Sequence, residues 1–565
     1  MKLPSDILGY VQVNNRKENV KMLDDFEIEE IDDQFYCGYK EKRDCFSDVY
    51  GYLTSDSPQS KVCVLYGLRR TGKTIIMKQC ALSLPEKKKN KALFITCSTE
   101  SKIKDLKKIL NGKIEEGYRY FFIDEITYAE DYQKIGEVLA NCYVGGNNVR
   151  IVISGTESLG LFLPTKNLQY NRSLMIHTTY ISYGEYSRLI KCEGIDDYIS
   201  KGSILVPDEF SNYYSVHDYI ETSVVENIIN SLEKSEGIKR YPAVLTEIYE
   251  AKELKNAIER IINKYSQDLS VKAIRKEFKS GPVEAAINNL ERNEKDTFEI
   301  DVDRLNENVA KSLGVIKNEE LSVSLSEEHK ESLYQFLRDM DVFVSIPIMN
   351  VFTRNGSPKK LEMISHPGMF TANIKYALSE LRDEDNWLPG STLKQRDKLI
   401  VAALNFAMGC IMENFIIADT YNLLCENKET SDKDIFGTDK TKWYVSKLNY
   451  KNHEADMIII DKKLKEVYLF EIKHSKENVP EQSHHLEDSE FLDYIEENYG
   501  TVVEKAVLYN GETDLSDLVP RISAQDFLLS TYNDVREIGD SEKYSLKDTL
   551  DILLNNELEN NKELE

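Results

Sequence analysis

The sequence predicts an α/β chain in three parts. These are a domain with a parallel sheet around a glycine-rich loop, a helical middle region with winged-helix-like pieces, and a smaller second α/β domain. Three observations carry this. Residues 67–74 read GLRRTGKT, between a short apolar strand and an apolar helix. Three more strand-like runs, Ala92–Thr96, Tyr120–Ile123 and Arg150–Ser154, alternate with helical patterns, which indicates parallel strands. Residues 454–473 read EADMIIIDKKLKEVYLFEIK, two strands around a charged turn with acids and a lysine near their ends.

The chain has 565 residues, room for about three to four domains. With 41% hydrophobic and 30% charged residues it is neither disordered nor fibrous. A net charge of −25 disfavours bulk attraction to nucleic acid or to anionic membrane, so any DNA contact requires local basic patches. The nine cysteines show no C-x-x-C spacing, so neither a zinc site nor a redox pair is indicated. They read as reduced thiols of a cytoplasmic protein. The start, MKLPSDILGYVQVNN, lacks the apolar run of a signal peptide. The most apolar helical stretch, Val401–Ala418, is interrupted by Asn405, Glu413 and Asn414 and reads as too short and too polar to span a bilayer. No membrane partner is expected.

In chain order, residues 1–34 form a polar N-terminal extension and 35–190 the first domain. Its opening strand is 61–66 (KVCVLY) and its helix Ile75–Leu84; the lysine-rich 85–91 is a solvated loop. The middle region, 191–399, holds two winged-helix-like pieces, Ser270–Leu290 and Glu331–Val351. A helical lid over the first domain accounts for them equally well. The helix carrying Lys272, Arg275, Lys276 and Lys279 is the one feature there that favours DNA. Polar residues 384–400, with Pro389-Gly390, mark a boundary. The second α/β domain takes 400–535, and 536–565 is an acidic tail.

GLRRTGKT fits G-x-x-x-x-G-K-[ST] in its strand–loop–helix frame, the P-loop of ATP- and GTP-binding domains. Gly67 and Gly72 let the backbone curl so that N–H groups of the turn, which includes Arg70 and Thr71, point at phosphate oxygens. The N-terminus of the following helix favours the same anion. Lys73 bridges the β- and γ-phosphates, and the Thr74 hydroxyl ligands Mg²⁺. Some fifty residues on, the apolar run 120–123 ends in Asp124-Glu125, at the rim where parallel sheets bind ligands. Asp124 holds Mg²⁺ and Glu125 polarises the attacking water. Ser154 ends the next strand, placed to sense the γ-phosphate. Arg172 is a candidate for neutralising transition-state charge, within its own chain or across a subunit interface.

In the C-terminal hairpin, alternation puts Glu471 and Lys473 on one face, and Asp456 on the partner strand converges on them. Two carboxylates can hold Mg²⁺, and a lysine can activate water or stabilise phosphorane charge. This D-x(n)-E-x-K order suggests a PD-(D/E)xK-like domain acting on phosphodiesters. Glu413 on the preceding helix adds a metal contact. Gln482, His484 and His485 follow the hairpin.

With both motifs in view the chain resembles a large prokaryotic family of AAA-type ATPases with an AAA_14-like ATPase domain and a C-terminal DUF4143-type, restriction-endonuclease-like region. The resemblance rests on GLRRTGKT, on YFFIDE at 120–125, on ISGTES at 153–158 and on NRSLMIHTTYISYGEY at 171–186. In the last, Arg172, Ser182, Glu185 and Tyr186 keep the family pattern, while Asn171 and Ile181 depart from it. EADMIII, FEIK and VLYNGE (507–512) resemble the family's C-terminal end. Residues 35–43 (FYCGYKEKR) resemble the entry to such ATPase domains, with Tyr39 where the family has Arg. The resemblance implies ATP and Mg²⁺ as ligands and Arg172 as a nucleotide-responsive arginine. Two functions compete: an ATPase whose nucleotide state gates a metal-dependent DNase, and an ATP-dependent switch whose nuclease-like end is inactive and binds a partner.

Overall fold

The computed structural model describes residues 21–23, 25–32, 34–56, 62–129, 131–135, 148–155, 173–234, 243–279, 299–315, 321–352, 358–425, 442–451, 453–474, 484–516 and 518–563. Two seven-stranded sheets organise it.

The first sheet comprises β1 (Lys21–Leu23), β2 (Phe26–Glu30), β3 (Val62–Tyr66), β4 (Ala92–Cys97), β5 (Tyr120–Asp124), β6 (Arg150–Ser154) and β7 (Ser173–His177). They lie in the order β1-β2-β4-β5-β6-β3-β7. From β4 to β7 all pairings are parallel, and β2 adds antiparallel to β4. The apolar runs of β3 to β6 are buried on both faces, so helices must cover both. Alternation sorts their side chains. Val62, Val64, Phe121 and Ile123 pack on α3 (Ile103–Glu115). Cys63, Leu65 and Phe122 pack on α1 (Phe46–Thr54) and α2 (Lys73–Ser83). The described part of the expected N-terminal extension is not an appendage, because β1 and β2 are strands of this sheet. After β7 the chain enters α4 (Tyr183–Ile190), capped by Ser182, whose hydroxyl accepts from Glu185 N.

The second sheet comprises β8 (Phe343–Phe352), β9 (Pro358–Ile364), β10 (Trp443–Tyr450), β11 (His453–Asp461), β12 (Glu466–Lys473), β13 (Thr501–Tyr509) and β14 (Arg521–Ser523), in the order β14-β13-β12-β11-β10-β8-β9. The predicted hairpin is β11–β12, antiparallel from Met457↔Phe470 to Asp461↔Glu466. Three expectations change here. The helix-to-strand piece at 331–351 exists, but β8 pairs in parallel with β10 and antiparallel with β9, so it is part of this large sheet and not a separate wing. A ten-residue apolar strand needs partners on both edges, and these supply them. The described part of 270–290 is the end of one 25-residue helix, α5 (Leu254–Phe278); the rest of that piece lies outside the described residues. Helix α6 (Glu327–Asp339) leads into β8, and α7 (Pro367–Glu380) follows β9. Pro389-Gly390 does precede a new element, α8 (Leu393–Leu424), but position 400 falls inside it.

Helix α8 has 32 residues and starts in a capping box of Thr392 and Gln395. An 18-residue window of it has mean hydropathy 1.8, so by length and composition alone it could cross a membrane. The expectation that this stretch is too short and too polar therefore fails. Here Leu399, Ala403, Ile411 and Phe415 are buried in one core with α5, α7 and the second sheet. That same core includes Phe527 and Leu528 of α10 (Ala524–Ile538) and Leu546 and Leu550 of α11 (Leu546–Glu563), whereas Phe491 and Ile495 of α9 (Ser489–Asn498) pack in a separate core with Ile458, Ile460 and Leu469. The acidic tail is thus partly a helix anchored by apolar side chains.

Candidate functional site

The glycine-rich loop leaves β3 at Gly67 and enters α2 at Lys73. Its curl is left-handed, with φ of 143° at Gly67, 64° at Arg70 and 90° at Gly72. A Cβ on Gly67 would lie 2.5 Å from Thr178 Oγ1 and 2.8 Å from Thr179 N, so glycine is required. The loop is braced against the residues after β7. Leu68 N donates to Thr179 Oγ1 at 2.8 Å, and the Thr71 and Thr178 hydroxyls are 2.8 Å apart.

Behind the loop lies a buried arginine. Arg43 Nε donates to Glu185 Oε1 at 2.6 Å and Nη2 to Glu185 Oε2 at 3.2 Å, a bidentate pair. Its guanidinium also donates to the carbonyls of Thr71, Thr178 (3.2 Å) and Tyr180 (3.1 Å). Asp44 N completes the set at Glu185 Oε1, 2.7 Å away. One residue therefore ties the P-loop, the strand end and α4 together.

Lys73 Nζ donates to the carbonyls of Gly67 and Leu68, each at 2.8 Å. Burial pulls its pKa down to about 8, with the charges of Glu125 and Asp124 opposing. A buried ammonium on two neutral carbonyls at a helix N-terminus can seat a phosphate. Asp124 is buried at the end of β5, where Oδ1 accepts from the Ser154 hydroxyl and from Glu125 N (3.1 Å). Glu125 adopts φ 54°, a conformation that non-glycine residues avoid outside special sites. Thr74, half-buried in the first turn of α2, and Asp124 supply oxygen donors of the kind Mg²⁺ takes. Arg70 pairs with Glu209, Leu205 N donates to the Arg70 carbonyl (3.0 Å), and the Tyr219 hydroxyl donates to the Arg69 carbonyl (3.1 Å). The middle region thus packs on the loop as a lid does. Arg172 lies outside the described residues.

The C-terminal acids also converge. Lys473 Nζ is 2.7 Å from Glu471 Oε2 and 3.4 Å from Asp456 Oδ2, and Ile472 N donates to the same Asp456 oxygen at 2.9 Å. Glu413 of α8 reaches the cluster but is bound by Lys447 of β10, whose ammonium is also 3.4 Å from Glu454 and 3.9 Å from Asp456. Burial raises the Glu413 pKa, and the Asp456 charge adds to this while Lys447 opposes it. Lys473 is raised: burial acts against it, and Asp456 and Glu471 outweigh burial. Among the described residues no three His, Cys, Asp or Glu side chains stand close enough to hold a metal together. Glu413 is committed to Lys447, and Asp456 and Glu471 are both in contact with Lys473. Gln482 lies outside the described residues, and of His484 and His485 only the backbone is described, in a short 3₁₀ turn.

The two sites share α8. Asp419, fully buried, accepts from the Tyr180 hydroxyl and from Tyr183 N (3.2 Å), in the segment that braces the P-loop. Burial lifts its pKa to about 7, with the Tyr180 and Tyr183 hydrogen bonds opposing. Glu413 precedes it on the same helix by roughly 9 Å of axis. The sequence did not point to Arg43, Thr178, Thr179, Lys447 or Asp419. Only Asp419 left a usable trace, a lone acid in the apolar run FIIADTYNLL.

An AAA domain family, AAA_14, matches residues 59–187. No curated protein matches the chain. Among solved structures, the Walker-type ATPase PABY2304 of Pyrococcus abyssi is 13% identical over 61% of this chain and 99% of its own, with a TM-score of 0.27. The Aeropyrum pernix ORC1 protein, in complex with DNA, is 11% identical over 59% of this chain and 90% of its own, with a TM-score of 0.20. Residues 59–187 are an AAA-type ATPase domain by this match.

Proposed function

We propose that the chain, through this domain, binds and hydrolyses ATP with Mg²⁺, and that its nucleotide state controls a metal-dependent phosphodiesterase acting on DNA at the second sheet. Lys73 and the loop N–H groups hold the phosphates. Thr74 and Asp124 would hold Mg²⁺, which supplies neutralisation of phosphate charge when bound. Glu125 takes the proton of the attacking water, and Ser154 orients Asp124. Arg172 neutralises the developing charge, in its own chain or across an interface between copies. At the second site Asp456 and Glu471 would hold the divalent cation, which supplies Lewis-acid stabilisation of the phosphoryl group. Lys473 orients the water.

The observation that carries the control is α8, with Glu413 at one cluster and Asp419 on the segment that touches the P-loop. A shift of Thr178–Tyr180 on phosphate binding is passed to one rigid helix. The test is nicking of supercoiled plasmid by the full chain with Mg²⁺, with and without ATP. Activity in the parent, its loss in Glu471→Ala and its loss of ATP dependence in Lys73→Ala are expected. Metal-independent cleavage, or none at all, would refute the nuclease half.

A second reading is favoured by Lys447. Its ammonium already compensates Glu413 and lies near Asp456, which suits a cluster stabilised without metal. In that case the second sheet is a partner-binding platform switched by ATP.

A further inference from the structure

The basic helix α5 is absorbed by neither site. On one side it carries Arg260, Lys264, Lys272, Arg275 and Lys276, with Lys279 at its C-cap; the last four fall within eight residues, and two turns separate Lys264 from Lys272. Asp268 neutralises Lys264 at 2.7 Å. Lys272, Arg275, Lys276 and Lys279 are exposed, and none of them forms an ion pair with a described residue. Instead, Lys276 and Lys272 lie over the Phe406 ring of α8, at 4.2 and 5.9 Å.

Two cavities open along this side. One, of about 370 Å³, is lined by Lys272, Arg275, Lys276 and Lys279. The other, of about 520 Å³, takes in Arg260, Lys264, Lys272 and Lys330 and ends at Glu413 and Lys447. They share Lys272 and Asp268, so they form one groove. Its length along α5 is roughly 28 Å, enough for several nucleotides. In a chain of net charge −25, a local concentration of cations such as this draws a polyanion to one place.

We propose that this groove binds single-stranded nucleic acid by its phosphates and leads the strand to the carboxylate–lysine cluster. What the strand meets at the end rests on the phosphodiesterase reading; the groove itself rests on α5. Four exposed cations within eight residues suit a polymer that carries a charge on every unit, as a nucleic acid does and an ordinary acidic protein segment does not. The wider cavity, of about 520 Å³, is only about 8 Å across if equidimensional, too narrow to admit a duplex, whose major groove alone is about 12 Å wide. A duplex, whose phosphates spread around a cylinder, cannot follow these cations into it.

The test is fluorescence anisotropy of a labelled oligothymidylate with the full chain in EDTA, over a salt series, beside the same length of duplex. The parent is expected to bind the single strand at least tenfold more tightly than the duplex. Lys272→Gln with Arg275→Gln should weaken binding at least tenfold and flatten the log–log salt slope by about 1.4, two phosphate contacts. Both side chains are exposed, so an unchanged circular dichroism spectrum and unchanged ATP affinity are the folding controls. Unchanged oligonucleotide binding in the double variant, or equal affinity for duplex, overturns the proposal. Displacement of the strand by low micromolar polyglutamate would also overturn it, by assigning these cations to acidic protein. Plasmid nicking is read separately with Mg²⁺. Binding without nicking leaves the groove and removes the phosphodiesterase, while nicking with an unaffected double variant does the reverse.

Discussion

Replacing Arg43 with alanine removes the guanidinium that joins the P-loop to α4. Glu185 is then left buried, having lost both charge-assisted hydrogen bonds, and the carbonyls of Thr71, Thr178 and Tyr180 lose a donor. Breaking a buried pair in this way costs about 3–5 kcal/mol, mostly because the surviving charge is uncompensated. For a cooperative unit of 150–250 residues that corresponds to a drop in melting temperature of roughly 6–20 °C. Glu185→Leu should cost a similar amount. The double variant Arg43→Met with Glu185→Leu should cost clearly less than the sum, because neither charge is then stranded. Since the Thr71 carbonyl belongs to the loop, the affinity for a fluorescent ATP analogue should also fall, and Arg43→Lys should not restore it: an ammonium lacks the planar fork. Differential scanning calorimetry and nucleotide titration check these values. A parent-like melt and parent-like affinity in Arg43→Ala would refute the account of how the loop is held.

Lys73→Ala should abolish ATP binding, and Glu125→Gln should keep binding while slowing turnover on the order of a hundredfold, both read in a phosphate-release assay. Lys73 has its pKa held near 8 by burial, and an arriving phosphate favours its charged form. ATP binding at pH 8.5 should therefore take up protons, an uptake that fades at pH 6.5, as calorimetry in buffers of different ionisation enthalpy will reveal. Asp419 has its pKa raised to about 7, so the folded state holds a proton that the unfolded state loses near 4. Its contribution favours folding at low pH, declines as pH rises from about 4 to 7, and is level above that; the whole span is at most about 4 kcal/mol. Asp419→Asn should remove this slope, seen in melts at pH 5 and pH 8; equal slopes in both proteins would sink the argument. Lys447→Met should strip Glu413 of its ion pair, Asp456 keeping Lys473, and make Mg²⁺ raise the melting temperature more than in the parent.

The first domain was largely legible because its signals are local. GLRRTGKT and the short runs at 92, 120 and 150 each report their own strand or turn, and β3 to β6 differ from the predicted strands by a residue at most, while β1, β2 and β7 were not predicted. The hairpin carrying Asp456, Glu471 and Lys473 was legible for the same reason: period-two alternation fixes which side chains share a face. The membership of β8 and β9 in the second sheet was not. The pairing of β8 with β10 spans about a hundred residues, and nothing in an apolar strand names a distant partner. Lys447 escaped notice because a lysine in a strand reads as solvated until its neighbours are known. Arg43 and Glu185 lie far apart in sequence, and each alone is an ordinary surface residue type.

Because β8 and β9 precede α8 while β10 to β14 follow it, the second sheet is laced through the middle of the chain. Chains of this kind do not exchange ends the way beads on a string do. A segment beginning at residue 400 would lack two of seven strands, would start inside a helix and would bare the unpaired edge of β10. It would also bring Asp419 into water without Tyr180. Any transplant of the C-terminal chemistry onto another ATPase must carry residues 343–364 with it, along with a surface that matches Thr178 to Tyr183. Inheritance of the two halves is then tied: a lineage that alters one must retune the other, and half-length fragments should be recovered as aggregates.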